Sequence, residues 1–377
     1  MLNNFYKIRS IFLIIILIII IVVVRPVFLD QFKAEPIVKG SGVTKVSKLS
    51  DYYADLKGTN GDTDVYILEG EKKGGTMLVL GGTHPVEAAG LVSAVLLVEN
   101  TKVKNGKLIV IPHANNSGFT WNEPGQAHPR KFTIKTEWGD RWFRFGARGT
   151  NPLDQWPDPE LYIHAASKQR LSSDEIRNLN RAHPGNPDGF LTEKIAYGIR
   201  KLIEEEGVDV TIDLHEAPPE KPLINAIVAH QRALDLATLT AINLEISGIN
   251  IRLEVSPTEL HGLSHRELGD YTDTLAVLLE TPNASQGQIH GRMDQSLILT
   301  GKDDFYVVAA KRGRLFVPYD EKGHPIKERV GRHLSTILEI SNSFTELYPD
   351  KPITLEDVPT YGLLIENGVG HYLLPVK

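Results

Sequence analysis

Met77-Leu78-Val79-Leu80-Gly81-Gly82-Thr83-His84-Pro85-Val86-Glu87 is an apolar run that ends in a double glycine and then delivers a histidine and a glutamate three residues apart. The run reads as a buried strand, and the glycines mark the turn that leaves it. Positions i and i+3 share one face of a helical turn, so His84 and Glu87 can converge on one cation. Imidazole plus carboxylate suits zinc. An H-x-x-E alone recurs by chance, and a surface His-Glu pair is its simpler explanation in isolation.

A second histidine stands at another strand end. Asp213-Leu214-His215-Glu216 follows Val208 to Ile212, a short β-branched run. Two His and one Glu with a fourth position open is the coordination of a catalytic zinc, whereas structural zinc closes its shell with four protein ligands. The chain has no cysteine, which excludes a thiolate site and thiol redox chemistry. Asp213 lies on the same strand face as His215 and can orient it. A third apolar run, Leu275 to Leu279, ends in Glu280 and is stopped by Thr281-Pro282-Asn283. Burying an ionised glutamate costs several kcal/mol unless it is paired, so Glu280 either reaches solvent or works in a site.

Between these strands lies Asn178-Leu179-Asn180-Arg181, followed by Ala182-His183-Pro184-Gly185. The order H-x-x-E, N-R, a strand ending in D-L-H and a strand ending in E resembles the zinc carboxypeptidase superfamily. Within it the pattern is similar to the succinylglutamate desuccinylase and aspartoacylase branch, from roughly Asp64 to Leu347. The resemblance implies an α/β three-layer sandwich with a mixed, mostly parallel sheet. It implies one zinc ion per chain held by His84, Glu87 and His215, with Glu280 as general base and acid, and Asn180 with Arg181 holding a substrate carboxylate. The chemistry is coherent: zinc lowers the pKa of bound water and polarises a carbonyl, while a nearby glutamate shuttles the proton to the leaving amine. Arg181 offers a planar fork for a carboxylate.

Relatives carry another arginine shortly before the N-R pair, and here Arg170 and Arg177 compete for that role. Arg266 and Tyr271 are the candidates for a further arginine and a phenol ahead of the catalytic glutamate. The implied reaction is hydrolysis of an N-acyl amino acid. Relatives of this branch often have a separate carboxy-terminal β domain, whereas only a short tail follows the last helix here. That difference leaves carboxypeptidase action on a peptide or cell-wall fragment as the alternative. A membrane-tethered zinc-dependent binding protein without turnover is the alternative from another class, and the intact Glu280 argues against it.

Ile11 to Val24 is an unbroken apolar run, preceded by Lys7 and Arg9 and followed by Arg25-Pro26-Val27-Phe28-Leu29. Fourteen residues rise only about 21 Å as helix, but extension to Leu29 spans a roughly 30 Å hydrocarbon core if Arg25 snorkels. No A-x-A-like site follows the run, which favours an uncleaved anchor over a signal peptide. Lys7 and Arg9 favour a cytoplasmic amino terminus and an extracytoplasmic catalytic domain. The lipid bilayer and a small acylated amino acid or short peptide are thus the expected partners. A net charge of −6 without blocks of like charge gives nucleic-acid binding no support.

The expected organisation is an anchor over residues 1–29, a linker over 30–60, a catalytic domain over 61–348 and a tail over 349–377. Strands are expected near Asp64–Leu68, Met77–Leu80, Leu108–Ile111, Val208–Leu214, Leu223–Val228, Ile251–Val255 and Leu275–Leu279. Apolar residues at three- and four-residue steps place helices over Glu87–Val98, Phe190–Glu206, Ala233–Ile246 and Val330–Leu347. Residues 120–166 contain all four tryptophans among Gly, Pro and Arg and read as an irregular insertion that shapes substrate choice, or whose tryptophans simply pack on the domain. Phe305 to Val317 reads as a hairpin.

Overall fold

The computed structural model describes residues 2–123 and 128–376. Four residues of the expected insertion, 124–127, lie outside the described residues. Two units are distinct, Met1–Glu35 and Pro36–Lys377. The first is the helix α1 (Leu2–Asp30), and Asn4–Asp30 is long and apolar enough to cross a membrane, with a mean hydropathy of 3.3 over its most apolar window.

In the second unit a nine-stranded sheet is built from β1 (Lys45–Lys48), β2 (Asp64–Glu69), β3 (Lys72–Leu80), β4 (Lys102–Ile111), β5 (Val210–Ala217), β6 (Ala226–Ala229), β7 (Arg252–Val255), β8 (Leu275–Pro282) and β9 (Thr354–Glu356). The order is β1-β2-β4-β3-β5-β8-β6-β7, with β9 pairing β4. The central strands β4, β3, β5 and β8 are parallel, and antiparallel partners flank them. Parallel strands are buried on both faces, which is why the end of β3, Met77 to Leu80, and the start of β8, Leu275 to Leu279, read as continuous apolar runs; β5 alternates instead, and its polar Thr211, Asp213 and His215 are buried too.

Helices cover both faces. One layer holds α2 (Ala88–Asn100), α4 (Leu234–Ile246) and α6 (Ile326–Leu347), packed on Met77, Val79, Val210, Ile212, Leu214, Val277 and Leu279. The other holds α3 (Leu191–Glu206) and α5 (Ser264–Tyr271), packed on Leu78, Leu80, Ile109, Ile111 and Ala276. The expected α/β sandwich with a mixed, mostly parallel sheet is the observed architecture.

Four expectations about the periphery need correction. The residues expected as a linker, from Pro36 to 60, belong to the folded unit: β1 pairs antiparallel with β2, and Leu49 and Leu56 are fully buried against α3. The carboxy-terminal segment is likewise no loose tail, because β9 extends the sheet and the helix Tyr361–Asn367 packs on α6. Asp304–Lys311 is helical where a hairpin was expected, its start capped by the Asp303 carboxylate, which accepts from the N–H groups of Phe305 and Tyr306. The segment 120–166 is not irregular throughout: a hairpin, Lys131–Thr136 with Gly139–Arg144, sends Phe132 and Phe143 into the core, and Phe145 just after it joins them. Its tryptophans divide between Trp121, whose indole donates to the Gly149 carbonyl, Trp142 beneath Lys131, and the exposed Trp138 and Trp156.

Leu56→Ala should lower the unfolding free energy of the Pro36–Lys377 unit by about 2–5 kcal/mol in urea titrations, as deletion of a fully buried leucine does. A change within ±0.5 kcal/mol, the range of surface substitutions, would restore the linker reading.

Candidate metal centre and active site

The parallel register decides where the chemistry gathers. Leu80 pairs with Asp213 and His215 pairs with Glu280, so the carboxy ends of β3, β5 and β8 are level. Ligand sites in open α/β sheets form at that edge. Gly82 turns the chain out of β3 at φ +63°, where an added Cβ would sit 2.8 Å from Phe119 and from the Pro112 carbonyl oxygen. This tight exit swings His84 and Glu87 back over the strand end.

The donor atoms of His84, Glu87 and His215 lie within 4.8 Å of one another, and all three side chains are buried. Glu87 stands between the imidazoles: Oε1 is 2.8 Å from His84 Nδ1 and Oε2 is 3.1 Å from His215 Nδ1. The outward Nε2 of each ring has its own acceptor. His84 Nε2 lies 2.8 Å from Asn178 Oδ1, and His215 Nε2 lies 2.8 Å from Asp213 Oδ2. Asn178 is itself oriented, its amide group donating to Glu175 and its Oδ1 accepting the Asn180 N–H. Asp213 accepts hydroxyl bonds from Thr83 at 2.7 Å and Ser264 at 2.5 Å.

With a metal bound, Asn178 and Asp213 would keep the proton on Nε2 of each ring and leave each Nδ1 lone pair for the centre. A carboxylate and two inward Nδ1 atoms, with acceptors fixing the outer nitrogens, is a donor set that fits zinc.

Electrostatics match this use. Burial, with Arg148 beside it, pushes the His84 imidazole down to about 4, so the ring is neutral at pH 7. Burial alone would raise the Asp213 carboxyl, but His215 and the two hydroxyl bonds hold it at about 2. Burial disfavours charge on His215, yet Asp213 and Glu87 outweigh it and raise the ring well above its ordinary value. Glu280 is pushed well above the usual carboxylate range by burial, with Glu87 and Asp213 adding to the effect and His215 and Arg148 opposing it. Its Oε2 has no hydrogen-bond partner among the described residues. A carboxyl with one buried, unpartnered oxygen, on the residue that pairs with His215 between β5 and β8, is suited to take up and release a proton.

The remaining expected residues divide. The Asn180 side chain accepts the Ser264 N–H at 2.8 Å, which ties the N-R segment to α5 beside Asp213. Arg181 donates to the Asn180 carbonyl at 2.7 Å, and burial, with Glu175 opposing and Arg148 adding, lowers its pKa. Arg177 is held by Asp158 at 3.0 Å and lies over Trp121. Arg170 is exposed on a two-residue strand.

Arg266 and Tyr271 do not reach the centre. Arg266 pairs with Asp270 at 2.7 Å and with His230, whose backbone N–H binds Ala276 near the start of β8. Tyr271 is half exposed and lines a cavity with Val208, Asp209 and Lys351, beneath the first residues of β5. Both are turned to the opposite edge of the sheet, because α5 runs from the site at Ser264 away from it.

The arginine that does reach the centre is Arg148, with Nη1 3.3 Å from Glu87 Oε1. It opens on a small cavity of about 100 Å³ whose charged lining is Glu123, Asp174, Glu175 and Arg177. Nothing in the local sequence marks it, since it follows the hairpin of residues 131–144 and is delivered by tertiary packing.

No protein-family model matches the chain, and no curated protein sequence matches it. Among solved structures it is similar to a succinylglutamate desuccinylase from Silicibacter sp., at 18% identity and TM-score 0.38, covering 60% of this chain and 55% of that one. It is similar to an aspartoacylase family protein from Mesorhizobium loti, at 18% identity and TM-score 0.39, covering 66% of this chain and 65% of that one. It is also similar to a metallo-carboxypeptidase from Burkholderia cenocepacia, at 11% identity and TM-score 0.45, covering 86% and 69%. The chain spans less than two thirds of the desuccinylase and aspartoacylase structures it matches.

Metal affinity should fall with pH in a defined sense. Because Asp213 and Glu87 hold a proton on His215, that proton must leave before Nδ1 and Nε2 can serve ligand and hydrogen bond together. Zinc affinity measured by chelator competition is expected to weaken about tenfold per unit as pH drops below the His215 pKa. A pH-independent affinity between pH 5 and 8 would contradict the assignment of His215. The functional reading of the chain rests on the geometry of His84, Glu87, His215 and Glu280.

Proposed function

We propose that the chain is a zinc-dependent hydrolase of carbon–nitrogen amide bonds, acting on an N-acyl amino acid. The observation that carries this reading is Glu280, whose Oε2 is buried without a hydrogen-bond partner among the described residues and which pairs in register with His215 of a His-Glu-His donor set. His84 Nδ1, Glu87 and His215 Nδ1 would hold the zinc ion. When bound, zinc supplies Lewis acidity that polarises an amide carbonyl and makes water more acidic.

The protein's part follows from the geometry. Glu280 takes a proton from the attacking water as the C–O bond forms, then returns it to the amide nitrogen as the C–N bond breaks. Burial raises its pKa above the usual carboxylate range, which strengthens it as a base toward that water. Arg148, whose Nη1 lies 3.3 Å from Glu87 Oε1, would donate to the carbonyl oxygen as it becomes negative. Arg181 and Asn180 hold a substrate carboxylate, a task for which a planar fork of donors is suited. The similar structures described as succinylglutamate desuccinylase and aspartoacylase agree with this substrate class.

The apolar helix α1 supports a membrane anchor with the amino terminus cytoplasmic and the catalytic unit outside. That placement favours a second reading, removal of a carboxy-terminal residue from an extracytoplasmic peptide or cell-wall fragment by the same machinery. A reporter fused after Lys377 that works only outside the cytoplasm should be active; activity of a cytoplasm-only reporter at the same position would reverse the orientation.

Glu280→Gln should reduce kcat/KM by about 10²–10⁴-fold while leaving zinc affinity unchanged, with products identified by mass spectrometry over N-acyl amino acids and short peptides. Release of free amino acid from acylated substrates supports deacylation, and loss of carboxy-terminal residues from peptides supports the second reading. Undiminished turnover by Glu280→Gln, or no turnover by the native zinc-loaded chain, would contradict the assignment.

A further inference from the structure

On the face of β5 opposite the imidazole of His215 lies a second buried charge cluster that the reaction does not use. Glu216 is 2% exposed, and its Oε1 is paired with Nη1 of Arg329, which is 1% exposed and lies in the first turn of α6. The other two Arg329 nitrogens, Nε and Nη2, donate to the carbonyls of His324 and Ile298. Glu216 Oε2 accepts the Ala89 N–H at 2.9 Å and the Asn283 amide at 3.1 Å. The Glu216 backbone N–H, in turn, donates to Glu87 Oε2 at 2.9 Å.

Ala89 lies in the first turn of α2, the helix that starts directly after Glu87. An anionic side chain at a helix amino terminus satisfies an orphan N–H and interacts favourably with the helix dipole. Here the anion comes from β5, so the cap clamps the start of α2 to the strand that carries His215. Gly90 permits the contact: an added Cβ would come within 2.8 Å of the Leu214 carbonyl oxygen. Asn283 extends the clamp to the end of β8, three residues beyond Glu280.

A fully buried ion pair is weak evidence for stability, since desolvating two charges offsets most of their attraction. We infer that the Arg329–Glu216 pair is a positioning device for the metal centre, fixing the Glu87 carboxylate between His84 and His215 by locking the start of α2 onto β5. Glu216 and Arg329 are positioning residues: they touch neither metal nor substrate. The inference rests on the proposed metal centre and adds to it the residues that set its geometry.

The chain contains its own control. Arg141 and Glu99 form a second buried pair, at 2.9 Å and with side chains 5% and 0% exposed, which ties Pro36 and Leu374 to the end of α2 remote from Glu87. The experiment compares Glu216→Gln, the double variant Glu216→Gln/Arg329→Met, and Glu99→Gln in the full chain. It reads zinc Kd by chelator competition alongside Tm of the zinc-free protein. Both Glu216 variants keep the backbone N–H that Glu87 accepts but release the start of α2 from β5, and a disturbed outer hydrogen bond of a metal ligand weakens affinity by about 10–100-fold; a loss of that order is expected for both, with Glu99→Gln within about twofold of native even at a comparable fall in Tm.

Native-like Kd in Glu216→Gln, or equal weakening in Glu99→Gln, would overturn the positioning role while leaving the metal centre in place. Should Glu216→Gln alone fold poorly, the double variant, which leaves no unpaired buried charge, carries the same test. Failure of the native chain to bind zinc would overturn the metal centre itself and the positioning role with it.

Discussion

Parallel pairing of β3, β5 and β8 is the constraint on which the rest of the molecule depends. Because their ends are level, a turn after β3, the last turn of β5 and the last turn of β8 discharge polar side chains into one volume at one edge of the sheet. Side chains alternate along β5, so Asp213 and His215 face the layer of α3 and α5 while Glu216 faces the layer of α2 and α6. One strand thereby serves both the donor set and the clamp behind it. A slip of one residue in this register would exchange the two faces and leave a buried glutamate where the imidazole should stand.

Burial then tunes what register has gathered. Three carboxylates sit within this volume and end in different states: Asp213 is held low by an imidazole and two hydroxyls, Glu87 lies well below its ordinary value because His84 and His215 outweigh burial, and Glu280 is raised by burial, with Glu87 and Asp213 adding to it. Titratable groups driven apart by their surroundings are the usual mark of divided acid–base and binding duties. Arg148 contributes to this division although its own guanidinium is partly exposed to the cavity at the mouth of the site.

The parts of the fold legible in the sequence are those that local pattern specifies. Buried parallel strands write themselves as apolar runs, and Gly81-Gly82, Glu280 and Asp213-Leu214-His215 stand out because they interrupt or end such runs. What stayed illegible depends on long-range packing. Lys45–Lys48 is a short edge strand with three of its four residues polar, so nothing but its partner β2 reveals it. Asp304–Lys311 carries the β-favouring Phe305, Tyr306, Val307 and Val308, yet the Asp303 cap and burial of Tyr306 against Glu220 make it a helix. Arg266 and Tyr271 failed for a geometric reason: α5 begins at the site and runs away from it. Arg148 and Arg329 were missed because only tertiary packing brings each to its glutamate.

The central claim is that His84 and His215 both bind metal through inward Nδ1 atoms with Glu87 between them. Zinc K-edge absorption spectroscopy on the metal-loaded chain tests it most directly, because imidazole rings leave a multiple-scattering signature that carboxylates and water do not. The account predicts a four-coordinate nitrogen and oxygen shell near 2.0–2.1 Å with two imidazoles, reduced to one in His215→Ala. A shell without imidazole scattering, or one unchanged by that substitution, would contradict it.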